Sequence, residues 1–175
     1  MADLTIALAG NPNAGKSTIF NVLTGLRQHT GNWPGKTVER KDGEVKLGSL
    51  TIKIVDLPGT YSLTAYSPEE IIARDFIIRE RPDVVIDVVD ATNLERNLYL
   101  TLQLLELDVP VIVALNMTDD LQKNGAKIDL DQFSSLLGNV PVVPTTANHG
   151  KGVSELITRA VKLARSDHSP QRLPA

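Results

Sequence analysis

Residues Gly10-Asn11-Pro12-Asn13-Ala14-Gly15-Lys16-Ser17 satisfy the pattern GxxxxGK[ST], and no other stretch limits the possible fold as tightly. The apolar run Ile6-Ala7-Leu8-Ala9 precedes them, and a helix-period segment begins at Lys16. A strand, a glycine-rich turn and a helix in that order build a nest of main-chain N–H groups at a helix N-terminus, which suits a polyphosphate. Gly10 and Gly15 permit the curl, because the turn needs backbone angles that a Cβ resists. Lys16 can then reach the β- and γ-phosphates as a point charge, and the Ser17 hydroxyl is a ligand for Mg²⁺. Asn11, Asn13, Ala14, Gly15, Lys16, Ser17 and Thr18 are therefore expected around the phosphates of a nucleoside triphosphate.

The chain has 175 residues, enough for one domain with a full core. With 18 basic and 21 acidic side chains the net charge is −3, so no basic stripe is on offer to a nucleic acid. The absence of cysteine excludes disulfides, thiolate zinc sites and iron–sulfur clusters. No basic leader precedes an apolar stretch, so no secretory signal is expected. The longest apolar run, 109–115, contains Pro110 and is too short to span a bilayer.

Strand-like runs at 5–9, 38–47, 50–56, 84–90, 111–116 and 142–144 alternate with helix-period segments at 16–24, 68–80, 94–107, 130–137 and 153–165. The runs Val84-Val85-Ile86-Asp87-Val88-Val89 and Val111-Ile112-Val113-Ala114-Leu115 read as strands buried on both faces, as in parallel sheets. A turn at Gly48-Ser49 joins 38–47 to 50–56 as a hairpin. The expectation is a P-loop α/β fold: six mostly parallel strands, one of them antiparallel, with helices on both faces. Ligands then bind at the carboxyl ends of the strands. Residues 1–166 form the expected domain, and 167–175, rich in Ser, Pro and polar residues, read as a linker or tail leading to further sequence.

Asp56-Leu57-Pro58-Gly59 ends a strand candidate and matches DxxG, the third motif of GTPases. Asp56 can hold a Mg²⁺-bound water, and the Gly59 N–H can approach a γ-phosphate unobstructed. Between this motif and the phosphate loop lies Gly31-Asn32-Trp33-Pro34-Gly35-Lys36-Thr37-Val38, which has no periodicity and reads as a functional loop. Thr37 is the candidate to complete the Mg²⁺ shell, with Gly35 and Lys36 beside the nucleotide; the alternative is that Thr37 merely starts the next strand. Trp33, the only Trp, either shields phosphates or meets a partner, or else anchors the loop by packing.

Asn116-Met117-Thr118-Asp119 follows a buried strand candidate. The Asp119 carboxylate can accept from both N1–H and the 2-amino group of guanine, whereas adenine offers a lone pair there and no 2-amino group. Charge-assisted bonds of about 1.5–3 kcal/mol each make that difference decisive. Asn116 is expected to tie this loop to the phosphate loop. Met117 stands where GTPases commonly have Lys, and its unbranched stem can cover one face of the base. Thr146-Ala147-Asn148 falls where a main-chain N–H would meet the guanine O6, though an ordinary helix-leading loop also explains it.

With those residues in view, the chain resembles the cytosolic, Ras-like G domain of the bacterial ferrous-iron transporter FeoB family. The resemblance runs from the phosphate loop to about Arg165. It rests on Gly10-Asn11-Pro12-Asn13, Gly31-Asn32-Trp33-Pro34-Gly35, Asp56-Leu57-Pro58-Gly59-Thr60-Tyr61-Ser62-Leu63, Asp90-Ala91-Thr92-Asn93-Leu94-Glu95-Arg96-Asn97-Leu98 and Asn116-Met117. It implies a slow GTPase at the cytoplasmic face of the inner membrane, using Mg²⁺. Its partners in the family are a helical regulatory domain and a polytopic membrane domain of the same transporter. The resemblance also implies that Asn13 holds K⁺ against the phosphates; the alternative is that Asn13 only stabilises the turn. The family usually has an apolar residue at the position of Lys36, which reads here as a solvated charge.

Catalysis is expected from Lys16, Asn13, Thr37 and Gly59. The residue after Gly59 is Thr60, too short to position water as a Gln would, and no Arg near the phosphate loop is an evident finger, so unaided turnover should be slow. A free-standing ribosome- or RNA-associated GTPase, and a nucleotide-loaded binding module with negligible turnover, are the competing readings. His29, His149 and His168 are widely separated and read as surface residues, so direct iron binding by this chain is not expected. Glu69 and Glu70 read as helix-start charges, with a catalytic-base role as the alternative. The leucines of 98–107 read as core.

Overall fold

Alternation along β1 (Leu4–Gly10) sets up both layers of the molecule. Ile6 and Leu8 point to one face of the sheet and Ala7 and Ala9 to the other. The computed structural model describes residues 1–166. After β1 come α1 (Lys16–Thr24), β2 (Gln28–Asn32), β3 (Glu39–Leu47), β4 (Leu50–Asp56) and α2 (Pro68–Glu80). There follow β5 (Val84–Asp90), α3 (Leu94–Leu105), β6 (Val111–Asn116), α4 (Thr118–Lys123), α5 (Leu130–Leu136), β7 (Val142–Pro144) and α6 (Val153–Arg165).

The strands form one sheet in the order β2-β3-β4-β1-β5-β6-β7. Five of them, β4, β1, β5, β6 and β7, pair in parallel, and β3 runs against both its neighbours. The single reversed strand is as expected, but the strand count is seven rather than six. The extra strand, β2, lies partly in the stretch read as loop. Its sequence QHTGN buries no residue fully, so it is an edge strand held by main-chain pairing and leaves no hydrophobic period to read.

One face of the sheet packs under α1 and α6 around Ile19, Phe20, Leu156 and Ile157. The other packs under α2, α3 and α5 around Ile72, Phe76, Leu100, Leu104 and Phe133. The α3 leucines Leu100, Leu104 and Leu105 are core and Leu98 and Leu107 pack against it, but Leu102, also read as core, is exposed because it falls on the helix's outer face, and the helix stops at Leu105 rather than at 107. The short α4 was not anticipated, because six residues that bury no side chain carry no amphipathic signature. Among the described residues no helix is long and apolar enough to cross a membrane. The expected tail, 167–175, and His168 lie outside the described residues.

This topology brings the ends of β1, β4, β6 and β7 to one edge of the sheet, and each of the four sequence motifs begins where one of these strands stops.

Candidate functional site

The phosphate loop leaves β1 at Gly10, where a Cβ would lie 2.8 Å from the Val88 carbonyl oxygen. The Ala14 N–H donates to the Asn11 carbonyl at 3.2 Å and closes a turn. Asn13 (φ 68°) and Gly15 (φ 96°) are both left-handed, the geometry that turns successive N–H groups inward. At Gly15 the requirement is absolute, since an added Cβ would sit 2.1 Å from Asn116 Nδ2. Lys16 opens α1, is buried, and its Nζ makes an ion pair with Asp56 Oδ1. Ser17 and Thr18 follow in the first turn, with Ser17 and Asn13 exposed at the rim.

The loop after β4 lies on top of this cradle. The Leu57 N–H donates to Leu8 O at 3.0 Å and the Thr60 N–H to Gly10 O at 3.1 Å. A Cβ on Gly59 would come within 3.3 Å of the Pro12 main chain, so glycine allows the close crossing. Farther along, Glu70 gathers the loop. Its carboxylate accepts from Tyr66 N at 2.9 Å, Ser62 Oγ at 3.0 Å and Thr64 Oγ1 at 3.1 Å. Its own N–H donates to Ser67 Oγ at 3.1 Å, completing a capping box at the start of α2. These bonds, the Tyr66 N–H foremost, hold the Glu70 carboxyl below the usual carboxylate range. Glu70 is thus fully engaged as a helix cap; it is not a free base.

Asn116 ends β6 and is the hub of the opposite side. Its Nδ2 donates to Ala14 O at 3.0 Å, while its Oδ1 accepts from Thr145 Oγ1 at 3.0 Å and from the Ala147 N–H at 3.1 Å. One amide thereby joins the phosphate loop, the β6 exit and the β7 exit. Met117 turns left-handed (φ 62°) and starts α4, placing Asp119 in its first turn with Lys123 Nζ at 3.7 Å. Thr118 Oγ1 donates to Thr145 O at 3.1 Å. Ala147 is buried and Asn148 exposed in the short 3-10 turn Ala147–His149.

Residues 33–38 stand apart. The Trp33 N–H donates to Val38 O at 3.0 Å and the Lys36 N–H to Trp33 O at 2.9 Å, closing the tip of the β2–β3 hairpin. Trp33 is buried edge-on against Phe76 of α2 at 5.7 Å, with the Arg40 guanidinium 4.6 Å from the ring centroid. The packing alternative for Trp33 is therefore the observed one. Gly35, Lys36 and Thr37 are exposed, and among the described residues Thr37 has no hydrogen bond to Ser17 or Asp56.

The folded chain thus brings together Ala14, Lys16, Asp56, Gly59, Asn116 and Ala147, and leaves Gly35, Lys36 and Thr37 outside that group. Sequence reasoning missed Thr145, whose buried hydroxyl orients Asn116, and Gln103, whose Oε1 accepts the Leu63 N–H at 2.7 Å. The expected tie from Asn116 to the phosphate loop is present, and the Ser67-x-x-Glu70 spacing is the one further local signal of the wiring. It also missed Asp87, buried in β5, whose carboxyl is pushed up to about 7 by burial against the opposing pull of the Thr101 hydroxyl. His29 and His149 are exposed.

The family model described as Ferrous iron transport protein B matches residues 4–160. The Fe(2+) transporter FeoB of Salmonella typhimurium is 53% identical over 173 residues, covering 97% of this chain and 22% of that protein. The Fe(2+) transport protein A/Fe(2+) transporter FeoB fusion protein of Porphyromonas gingivalis is 50% identical over 161 residues, covering 91% of this chain and 19% of its own length. Among solved structures, a mutant S. thermophilus NFeoB bound to mGDP superposes with a TM-score of 0.92 at 50% identity, over 98% of this chain and 65% of that one. The FeoB G-domain from Methanococcus jannaschii gives a TM-score of 0.83 at 48% identity, over 95% of this chain and 100% of that one. The chain spans about a fifth of the length of these curated relatives. On the matched residues, the extent of the match and the shared fold, the chain belongs to the ferrous iron transport protein B family, as its G domain.

Proposed function

We propose that this chain binds GTP and hydrolyses it slowly, and that its nucleotide state governs or powers ferrous-iron transport across the bacterial inner membrane. The observation that carries this reading is the three-way tie made by Asn116. It sets a phosphate cradle, a carboxylate suited to guanine and a main-chain N–H beside one another at the end of a single sheet. The iron-transport context comes from the family. The partners would be the helical regulatory and membrane-embedded parts of a transporter some four to five times longer than this chain, with the G domain at the cytoplasmic face.

In this reading the main chain of 13–17 grips the phosphates and Lys16 spans the β- and γ-groups. Met117 covers the base and Asp119 reads its N1–H and 2-amino edge, with Thr146, Ala147 and Asn148 flanking the guanine O6. The donor set of Ser17, Thr37 and Asp56 consists of hard oxygens and suits Mg²⁺, and the Lys16–Asp56 pair puts that carboxylate at the mouth of the cradle. When bound, Mg²⁺ neutralises charge on the transferring phosphoryl group. Thr37 must travel to join that set, since it is exposed on the hairpin tip. Asn13, exposed and left-handed at the rim, is the proposed ligand for K⁺, which would supply positive charge beside the phosphates. Gly59 offers its N–H to the γ-phosphate.

Asp119→Asn tests the base assignment. The amide offers a donor where the carboxylate accepted, so GTP affinity should fall about a hundredfold or more and xanthosine triphosphate should bind instead. Unchanged GTP affinity would refute it. For the ion, GTP turnover should rise in KCl over NaCl and lose that response in Asn13→Ala; equal rates in both salts would remove K⁺ from the account.

A further inference from the structure

We propose that Arg96 is a positioning residue for GTP cleavage, acting by holding Tyr61 and the adjoining DxxG backbone against α3. The inference rests on the GTPase reading above and deepens it.

The residue that follows Gly59 is Thr60, whose side chain is buried and whose N–H is committed to Gly10 O at 3.1 Å. A water poised for attack near Gly59 must then be placed by main chain rather than by a long side chain, and main chain places it only if residues 59–61 stay still. Two contacts with α3 restrain the segment that follows. The Arg96 guanidinium lies 4.1 Å from the centroid of the Tyr61 ring, and Gln103 Oε1 accepts the Leu63 N–H at 2.7 Å. Arg96 and Gln103 are two helical turns apart and so fall on one stripe of α3.

The same turn of α3 also reaches the phosphate loop. The Asn11 Nδ2 donates to the Arg96 main-chain carbonyl at 3.4 Å, while Asn11 Oδ1 is buried without a partner. The Asn11 side chain therefore faces α3 and braces the phosphate loop against it. The helix end itself is firm. Buried Asn97 accepts the Asp90 N–H at 3.1 Å and donates to Asn93 O at 2.8 Å, pinning the start of α3 to the end of β5. Arg96 is thus the residue whose carbonyl holds the cradle and whose side chain holds the loop above it. Its side chain is exposed and its removal leaves the core intact. An exposed cation–π contact is modest in size, and its loss corresponds to about two- to fivefold in rate.

Single-turnover GTP cleavage by the whole chain in KCl and Mg²⁺ tests this, alongside titration with GDP and a GTP analogue. Arg96→Ala and Tyr61→Leu should each slow cleavage about two- to fivefold while both affinities stay unchanged. The double variant should be no slower than either single one. Arg96→Lys, which keeps a cation, and Tyr61→Phe, which keeps the ring, should recover most of the rate. Wild-type cleavage in Arg96→Ala, losses that multiply in the double variant, or an affinity loss equal to the rate loss would each overturn the proposal while leaving the GTPase reading standing. Absence of GTP cleavage by the unaltered chain would instead bring down both.

Discussion

The loop after β4 lies on the phosphate loop while the hairpin tip between β2 and β3 packs on α2, and the two are held in opposite ways. Residues 57–67 are fastened on three sides: to the end of β1 by Leu57 and Thr60, to α3 by Tyr61 and Leu63, and to Glu70 by Ser62, Thr64 and Tyr66. Residues 33–38 have two main-chain bonds within their own turn and a single buried ring, Trp33. The first arrangement suits a backbone that must be in place before a γ-phosphate arrives. The second suits a segment that can leave its anchor and regain it, as the proposed role of Thr37 requires. Order in one and release in the other follow from how many independent bonds must break together.

The strongest perturbation strikes the phosphate loop on which the loop after β4 rests. Gly15→Ala forces a Cβ into Asn116 Nδ2 at a left-handed position, so uptake of a fluorescent GDP analogue should weaken by about a hundredfold or more. Nucleotide should then no longer protect the loop after β4 from proteolysis; undiminished protection would show that this loop does not rest on the phosphate loop.

Comparable in size is Asp87→Asn, which removes a buried titration from β5 inside the sheet. Burial raises this carboxyl from 3.8 to about 7, so the folded chain binds the proton more tightly than the unfolded one. Stability therefore declines as pH rises from about 4 to about 7 and stays reduced above that. The amide should flatten that slope and raise stability at pH 8 by up to about 4 kcal/mol, measured by urea unfolding. A slope unchanged by the substitution would assign the pH dependence elsewhere.

Glu70→Ala tests the fastened loop itself. Losing the shared acceptor should lower stability by about 1–3 kcal/mol and speed amide exchange at Tyr66, while exchange across 33–38 stays unchanged. Because hydrogen bonds depress the folded pKa of Glu70, its contribution is present at neutral pH and fades as pH falls below the ordinary carboxylate range. Equal loosening of both loops would erase the distinction between them.

The smallest signal comes from Trp33. Its buried ring should emit at shorter wavelength with GDP and shift to longer wavelength with a GTP analogue and Mg²⁺, as Thr37 is drawn inward. An emission unaffected by the third phosphate would mean that the hairpin tip does not move.

What could be read in advance divides along the same line. The residues at 10–17, 56–59 and 116–119 were legible because phosphate and guanine chemistry demand particular residue types in a fixed order at strand ends. The parallel strands β4, β5, β6 and β7 were legible to the residue from their apolar runs. The contacts that distinguish the two loops were not. Trp33 meets Phe76 and Tyr61 meets Arg96 only after distant segments fold together, and no local spacing encodes either pair. β2 escaped notice because an edge strand paired through its backbone needs no pattern.

Calorimetric titration of the chain with GDP, a GTP analogue and ATP in Mg²⁺, each in KCl and in NaCl, bears most directly on the central claim. The account predicts saturable one-to-one uptake of the guanine nucleotides and none of ATP. No saturable uptake of either guanine nucleotide, or ATP uptake of equal strength, would contradict it.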